Sequence, residues 1–222
     1  MTDPDPQDPA ASRPRYEDET AERLVAPAAL RNAGPIAGML KDVLAGERGP
    51  LLEIGSGPGQ HAVAGAEALP AMTWIPSDPD PLHIRSIRAW REHEGLPNLA
   101  EPIRLDATED WPAALALTHG PLQAVFCANV IHIAPWRVAE GLFAGAARAL
   151  GEGGRAILYG PFLLAEGTAP SNLAFHRTLQ ERDPAWGVRP LADVVALAAL
   201  HGMTLETRIE MPANNLALVF RR

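Results

Sequence analysis

Short apolar runs alternate along this chain with longer stretches whose apolar residues recur at helical spacing. LLEI (51–54) is followed at once by glycines and predicts a buried strand. HAVAGAEALP predicts a helix closed by Pro70. The alternation continues with a strand in TWIPSD (73–78), a helix from Pro81 to Gly95, a strand in PIRLD (102–106) and a short helix in TEDWPAALALTHG. LQAVFCANVIHI (122–133) predicts a fourth strand, followed by a functional loop. WRVAEGLFAGAARALGEGG predicts a helix with small residues on one face, and RAILYGPF (155–162) a fifth strand. Helices in SNLAFHRTLQERD and PLADVVALAALHG precede two closing strands, TLETRIEMP (204–212) and NLALVFRR (215–222). Upstream, Pro35 is the expected start of a helix through IAGMLKDVLAG, stopping at Gly46.

This order predicts an α/β fold, with a mostly parallel sheet covered by helices on both faces. No helix separates the last two strands, so they must form an antiparallel hairpin. Residues 1–20 are rich in Pro, Asp and Ser and are expected to form a disordered tail. From Tyr16 to Asn32 the composition is mixed, and this stretch is expected to pack over the domain as a strap. The domain expected is therefore 21–222, with a strap at 21–34.

Composition narrows the function. The chain has 222 residues, 47% of them apolar, enough for a sizeable core. The formal net charge of −8 and the lack of a basic stripe favour a small-molecule substrate, with no nucleic-acid partner expected. No apolar run reaches membrane-spanning length and no secretory h-region opens the chain, so no membrane partner and a cytoplasmic setting are expected. The single cysteine, Cys127, reads as a small buried strand residue and fits a reducing compartment. The seven histidines are scattered, with no metal-site spacing, so no metal is expected.

The strongest motif is Leu51-Leu52-Glu53-Ile54-Gly55-Ser56-Gly57-Pro58-Gly59. Glycine is required where the backbone takes positive φ or a ligand must touch it. The loop opens a helix, whose exposed N–H groups favour a carboxylate or other polar group. The bland alternative is an ordinary strand-to-helix turn. The dinucleotide fingerprint G-x-G-x-x-G competes, but Gln60 stands where its last glycine belongs. Asp78 ends the second strand, at the edge where open parallel sheets bind ligands, and its carboxylate can accept two ribose hydroxyls. Asp80, before Pro81, reads as a helix cap. Asp106 ends the third strand and either meets an adenine amino group or caps a helix starting near Thr108. Ala107 follows it at the same edge.

These features resemble the class I methyltransferases that use S-adenosylmethionine. LLEIGSGPGQHAV, WIPSDPD, CANVIHIAPW, GLFAGAARAL, LYGPF, SNLAFHRTLQERDPAWG and MPANNLALVFRR resemble more narrowly the methyltransferase-like twenty-six protein and its bacterial relatives. The likeness runs from about residue 26 to 222. Leu30 stands where that family has an acidic residue before Arg31-Asn32, and His176 where it often has Asp. The resemblance implies a Rossmann-like seven-stranded sheet and methyl transfer from S-adenosylmethionine to O, N or S of a small molecule. The cofactor contacts expected are Glu53, Gly55, Ser56, Gly57, Gly59, Asp78, Asp106, Ala107, Asn129 and Arg31.

The acceptor is expected near Asn32, His132, Tyr159, Phe162 and Asn215. His132 is the candidate general base, since histidine titrates near neutral pH; the alternative is a structural histidine bonded to backbone. Asn214 and Asn215 are either turn formers or substrate donors. Tyr159 and Phe162 are either pocket-lining or ordinary core aromatics. His61, Arg182, Asp183 and Trp186 read as packing and loop-fixing residues. Two further readings stay open: a nicotinamide-dependent oxidoreductase, and a non-catalytic scaffold that kept the fold.

Overall fold

A computed structural model of the chain describes residues 21–222; the expected tail at 1–20, with the first strap residues, 16–20, lies outside the described residues. The first elements are α1 (Pro27–Val43), β1 (Gly49–Ile54), α2 (Gln60–Ala68), β2 (Met72–Asp78), α3 (Pro81–Glu94) and β3 (Ile103–Arg104). Then follow α4 (Trp111–His119), β4 (Leu122–Ala128), α5 (Trp136–Ala149), β5 (Leu150–Pro161), α6 (Pro170–Arg182), α7 (Leu191–Leu200), β6 (Thr204–Met211) and β7 (Asn215–Arg221). The strands form a seven-stranded sheet in the order β3-β2-β1-β4-β5-β7-β6. β1 and β3 each pair with β2 in parallel, and β4 pairs with β5 in parallel. β7 is antiparallel to both β5 and β6, so β6 runs in the direction of β5. The expected Rossmann-like mixed sheet with a closing hairpin is the observed fold.

The chain forms two compact units, one ending at Asp106 and one spanning Ala107–Arg222. In the first, Leu51, Leu52, Trp74 and Ile75 of the parallel strands are fully buried, with Ala62 of α2 and Leu40 of α1. Full burial of one such large apolar side chain contributes roughly 1.5–3 kcal/mol. In the second, Phe126, Ile157 and Leu218 are buried, and Phe143 of α5 packs edge-on to Phe220 of β7 with ring centroids 5.3 Å apart. A smaller cluster joins Leu179 of α6 to Trp186 and Val188.

Several boundaries differ from the sequence reading, among them the fifth strand, which begins at Leu150 rather than Arg155. The first helix begins at Pro27, not Pro35, and Pro35 lies inside it. Pro27 suits a first helical turn; Pro35 removes one backbone bond, and the helix continues through it to bury Ile36, Met39 and Leu40. Arg31 and Asn32, placed in the expected strap, therefore lie in a helix. The third strand keeps only Ile103 and Arg104, which pair with Ser77 and Asp78. The fourth strand stops at Ala128, because Asn129 is left-handed at φ 63 and the apolar residues after it form a 3₁₀ turn at Val130–His132. The short helix starts at Trp111 with Asp110 in the cap position, which removes Asp106 as its cap.

Candidate functional site

In the first unit, the loop after β1 carries Gly55, Gly57 and Gly59 at φ 70, 57 and 105. These are conformations that L side chains rarely take, which explains the three glycines. The base of the loop is stitched to β2. Ser56 N–H donates to the Ser77 carbonyl at 2.8 Å, and Ser77 N–H donates to Ser56 Oγ at 3.0 Å. Ser77 Oγ also donates to the Glu53 carbonyl at 2.6 Å. A Cβ at Gly59 would lie 3.1 Å from Ile87 Cγ1, so α3 packs directly on the loop. A Cβ at Gly57 would meet nothing within 4 Å, so the loop tip offers bare backbone to a ligand.

The Asp78 carboxylate holds two backbone amides. Its Oδ2 accepts the Gly57 N–H at 2.9 Å, and its Oδ1 accepts the Asp80 N–H at 2.9 Å. His83 Nδ1 lies 2.9 Å from the same Oδ1. A carboxylate has about two acceptor sites on each oxygen, so Oδ2, with one bond, keeps capacity for a hydroxyl donor. Asp80 caps α3 as expected, accepting from the Leu82 N–H at 2.8 Å ahead of Pro81.

Glu53 is 1% exposed and accepts from the Trp74 indole N–H at 3.0 Å. Its Oε1 has no hydrogen-bond partner and lies 4.0 Å from His61 Nδ1. Burial pushes the Glu53 carboxyl up to about 7, partly offset by its bonds from Trp74 and Ser56. His61 moves the other way: burial lowers it to about 4, against a hydrogen bond to the Ala29 backbone. Both groups belong to the interior beneath α2.

Asp106 follows β3 and is half-buried; the neighbouring Leu105 N–H donates to the Asp78 carbonyl at 3.2 Å, which sets the chain direction there. Arg31 is exposed on α1 and Asn32 is half-buried beside it. Ala107, the first residue of the second unit, is buried, with Gly141 of α5 packed on its carbonyl.

In the second unit, Asn129 sits just past β4, its N–H donating to the Tyr159 carbonyl at 2.8 Å. His132 is fully buried and meets Phe162 edge-on at 5.1 Å. His132 Nδ1 accepts the Arg189 N–H at 3.3 Å, which assigns the ring proton to Nε2. That Nε2 has no hydrogen-bond partner. Burial, with the Arg189 charge adding to it, lowers the His132 pKa to about 3. Against the near-neutral titration expected of His132, this burial favours the neutral imidazole. A Cβ at Gly160 would lie 2.6 Å from His132 Nε2 and 3.1 Å from Asn129 Oδ1, so Gly160 leaves room that both polar atoms border.

Tyr159 and Phe162 are buried, and Tyr159 Oη accepts from Asn215 Nδ2 at 3.0 Å. Burial raises the Tyr159 pKa. Asn214 has the left-handed φ of a turn former, at 59. Asn172 of α6 donates to the Asn214 carbonyl at 2.9 Å, tying that helix to the β6–β7 turn. Among the residues expected to fix loops, Asp183 accepts the Ala185 N–H at 2.8 Å, and the Arg182 guanidinium lies 5.3 Å from the Trp186 ring.

Several residues of consequence escaped the sequence reading. Arg189 donates to the carbonyls of Ile131, Ala134 and Ala185 at 2.7–2.8 Å and so clamps the loop that carries His132. Ser86 and His83 lie on the buried face of α3 with Ile84 and Ile87. Their spacing on an apolar face was the available signal. Arg189, in VRPL, offered none.

Solved structures share this fold at low identity. The mitomycin 7-O-methyltransferase MmcR matches with a TM-score of 0.72 and 19% identity, over 88% of this chain and 54% of that one. An O-methyltransferase family 2 protein from Planctomyces limnophilus in complex with apigenin gives 0.70 and 22%, over 88% and 60%. PigF with SAH gives 0.68 and 17%, over 86% and 56%. The chain thus spans little more than half the length of these structures, and the likeness establishes the Rossmann-like methyltransferase fold. Over residues 23–222 it matches, and belongs to, the family described as protein of unknown function DUF938.

Proposed function

We propose that this chain transfers the methyl group of S-adenosylmethionine to an oxygen, nitrogen or sulfur of a small-molecule acceptor. The observation that carries this reading is the grip of Asp78, at the carboxyl end of β2, on the Gly57 amide of the loop that ends β1. The site fits the cofactor. The three glycines at positive φ keep side chains off the loop, and Gly57 faces open space. Asp78 Oδ2, with one bond, keeps acceptor capacity for a ribose hydroxyl. Asp106, half-buried just past β3, is suited to the adenine amino group. Gly55, Ser56, Gly59, Ala107, Asn129 and Arg31 complete the proposed cofactor contacts, and Glu53 supports the loop from beneath.

The cofactor, when bound, supplies a methyl already activated by a sulfonium, so the protein has mainly to align the acceptor and exclude water. On the acceptor side we assign Asn32, His132, Tyr159, Phe162 and Asn215. His132, neutral with its proton on Nε2, is suited to donate a hydrogen bond that orients the acceptor; it is too weak a base to take a proton near pH 7. The apigenin held by the Planctomyces structure supports a flat small molecule as the class of acceptor. The narrower kinship with the methyltransferase-like twenty-six proteins is part of the same proposal and rests on the stretches ERDPAWG and MPANN.

We also propose that 21–222 acts as one methyltransferase domain with its strap, in a reducing cytoplasm, as the lone buried Cys127 suits. Among the described residues, no helix is long and apolar enough to cross a membrane. Calorimetry with S-adenosylhomocysteine and with NADH tests the reading. Binding of the first alone is expected; NADH binding alone would replace the proposal with the oxidoreductase reading.

A further inference from the structure

The polypeptide just before α1 is fastened to the glycine loop by side chains of α2 and α3. Leu24 N–H donates to Ser86 Oγ at 2.9 Å, and Ser86 Oγ donates in turn to the Pro58 carbonyl at 2.8 Å. One buried hydroxyl therefore joins the strap to the loop residue between Gly57 and Gly59. Ala26 N–H donates to Gln60 Oε1 at 2.7 Å, and Gln60 is the first residue of α2, directly after the loop. The Trp90 indole N–H donates to the Leu24 carbonyl at 3.2 Å, while its Cδ1 lies 3.4 Å from where a Gly59 Cβ would stand. Arg23 places its guanidinium 4.9 Å from the Trp90 ring centroid. Leu24 and Ala26 are buried, at 0% and 3% exposure.

We propose that residues 23–26 form a clasp on the glycine loop, with Ser86 a positioning residue that acts on cofactor binding through the Pro58 carbonyl. The inference rests on the S-adenosylmethionine reading above. Its logic is linkage. The backbone groups of Leu24 and Ala26 bond to Ser86, Trp90 and Gln60, which also hold or adjoin the loop, so the order of strap and loop is coupled. A ligand that fixes one must then fix the other, and releasing the strap must weaken the ligand by the same factor.

The test uses the full chain and S-adenosylhomocysteine as probe. Trypsin cleavage after Arg23, followed by mass spectrometry, should slow several-fold when the probe is saturating. Trp90→Phe should raise the calorimetric Kd about tenfold, the effect of losing one buried hydrogen bond, and Ser86→Ala, which loses two, at least as much. Trp90→Phe keeps an aromatic ring against Gly59 and loses only the bond to Leu24, so it serves even if Ser86→Ala fails to fold. In the Trp90→Phe protein, protection of Arg23 should also diminish. Wild-type protein that does not bind the probe would overturn the cofactor reading itself. Wild-type protein that binds it without slower cleavage, with unchanged Kd in the variants, would overturn the clasp alone.

Discussion

The Asp78 carboxylate accepts the Gly57 N–H at 2.9 Å, so the last residue of one strand holds the tip of the loop that leaves its neighbour. The same carboxylate accepts the Asp80 N–H. Asp78→Ala strands two backbone donors in a buried place, and should cost about 1–3 kcal/mol of stability. Affinity for S-adenosylhomocysteine should fall by a similar amount, since the ribose acceptor and the loop anchor go together. Urea unfolding and calorimetry measure the two. Unchanged affinity in a folded variant would remove Asp78 from the ribose site.

Gly160 leaves room beside His132 and Asn129 that even one methyl group would fill. A Cβ there would stand 2.6 Å from His132 Nε2 and 2.9 Å from its Cδ2. Gly160→Ala should therefore cost roughly 1–3 kcal/mol by overpacking. Adding His132→Ala should relieve the clash, so the double variant should be more stable than the sum of the singles predicts. Strict additivity in urea unfolding would show that the ring does not confine this position.

The features written as local punctuation were readable in advance. Asp80-Pro81 and Gly95 bounded a helix, and glycines after an apolar run placed the loop against Asp78. The apolar VIHI after Asn129 looked like more strand, because periodicity does not separate an apolar turn from an apolar strand; the left-handed Asn129 decided it. Pro35 looked like a start because proline inside a helix is costly, yet burial further along α1 outweighs that cost. The Glu53–Trp74 bond depends on the register that places Leu51 beside Trp74, which no single segment reveals. Ser86 joins Pro58 to Leu24, 62 residues before it, and Arg189 holds Ile131, 58 residues before it, so their roles exist only in three dimensions.

The buried Glu53 carboxyl should give stability a defined pH dependence. Its folded pKa, about 7, lies above its ordinary 4.5. Below the ordinary value it is neutral in both states and has no effect. As pH rises from 4.5 to 7 the unfolded chain releases this proton first, so stability is lost across that window. Glu53→Gln keeps an oxygen for the Trp74 indole and cannot ionise. Its stability relative to wild type should therefore climb between pH 4.5 and 7 and level off above, by on the order of 1–3 kcal/mol. His61 and His132, both lowered, act in the opposite sense and cost stability as pH falls below 6.5. Comparing variant and wild type at each pH cancels the contributions of groups away from Glu53; His61, 4.0 Å from it, acts only below 6.5. A difference that does not change with pH would contradict the assigned burial of Glu53 in its ionised form.

Arg189 holds three carbonyls with one planar group, at Ile131, Ala134 and Ala185, while its backbone N–H fixes the His132 ring. Its guanidinium is half-buried, lies 5.6 Å from the Trp136 ring, and has its pKa lowered by burial. Arg189→Ala should destabilise the protein by about 2–3 kcal/mol, since hydrogen bonds to a charged donor are worth more than neutral ones. Amide hydrogen exchange should quicken over residues 129–135 before the rest of the unit. Arg189→Lys should rescue little of this. A lysine ammonium is a compact point charge and does not reproduce the flat fork that reaches separate carbonyls. If Lys restored both stability and exchange protection, the positive charge alone would suffice, and the fork geometry would not be what holds the loop.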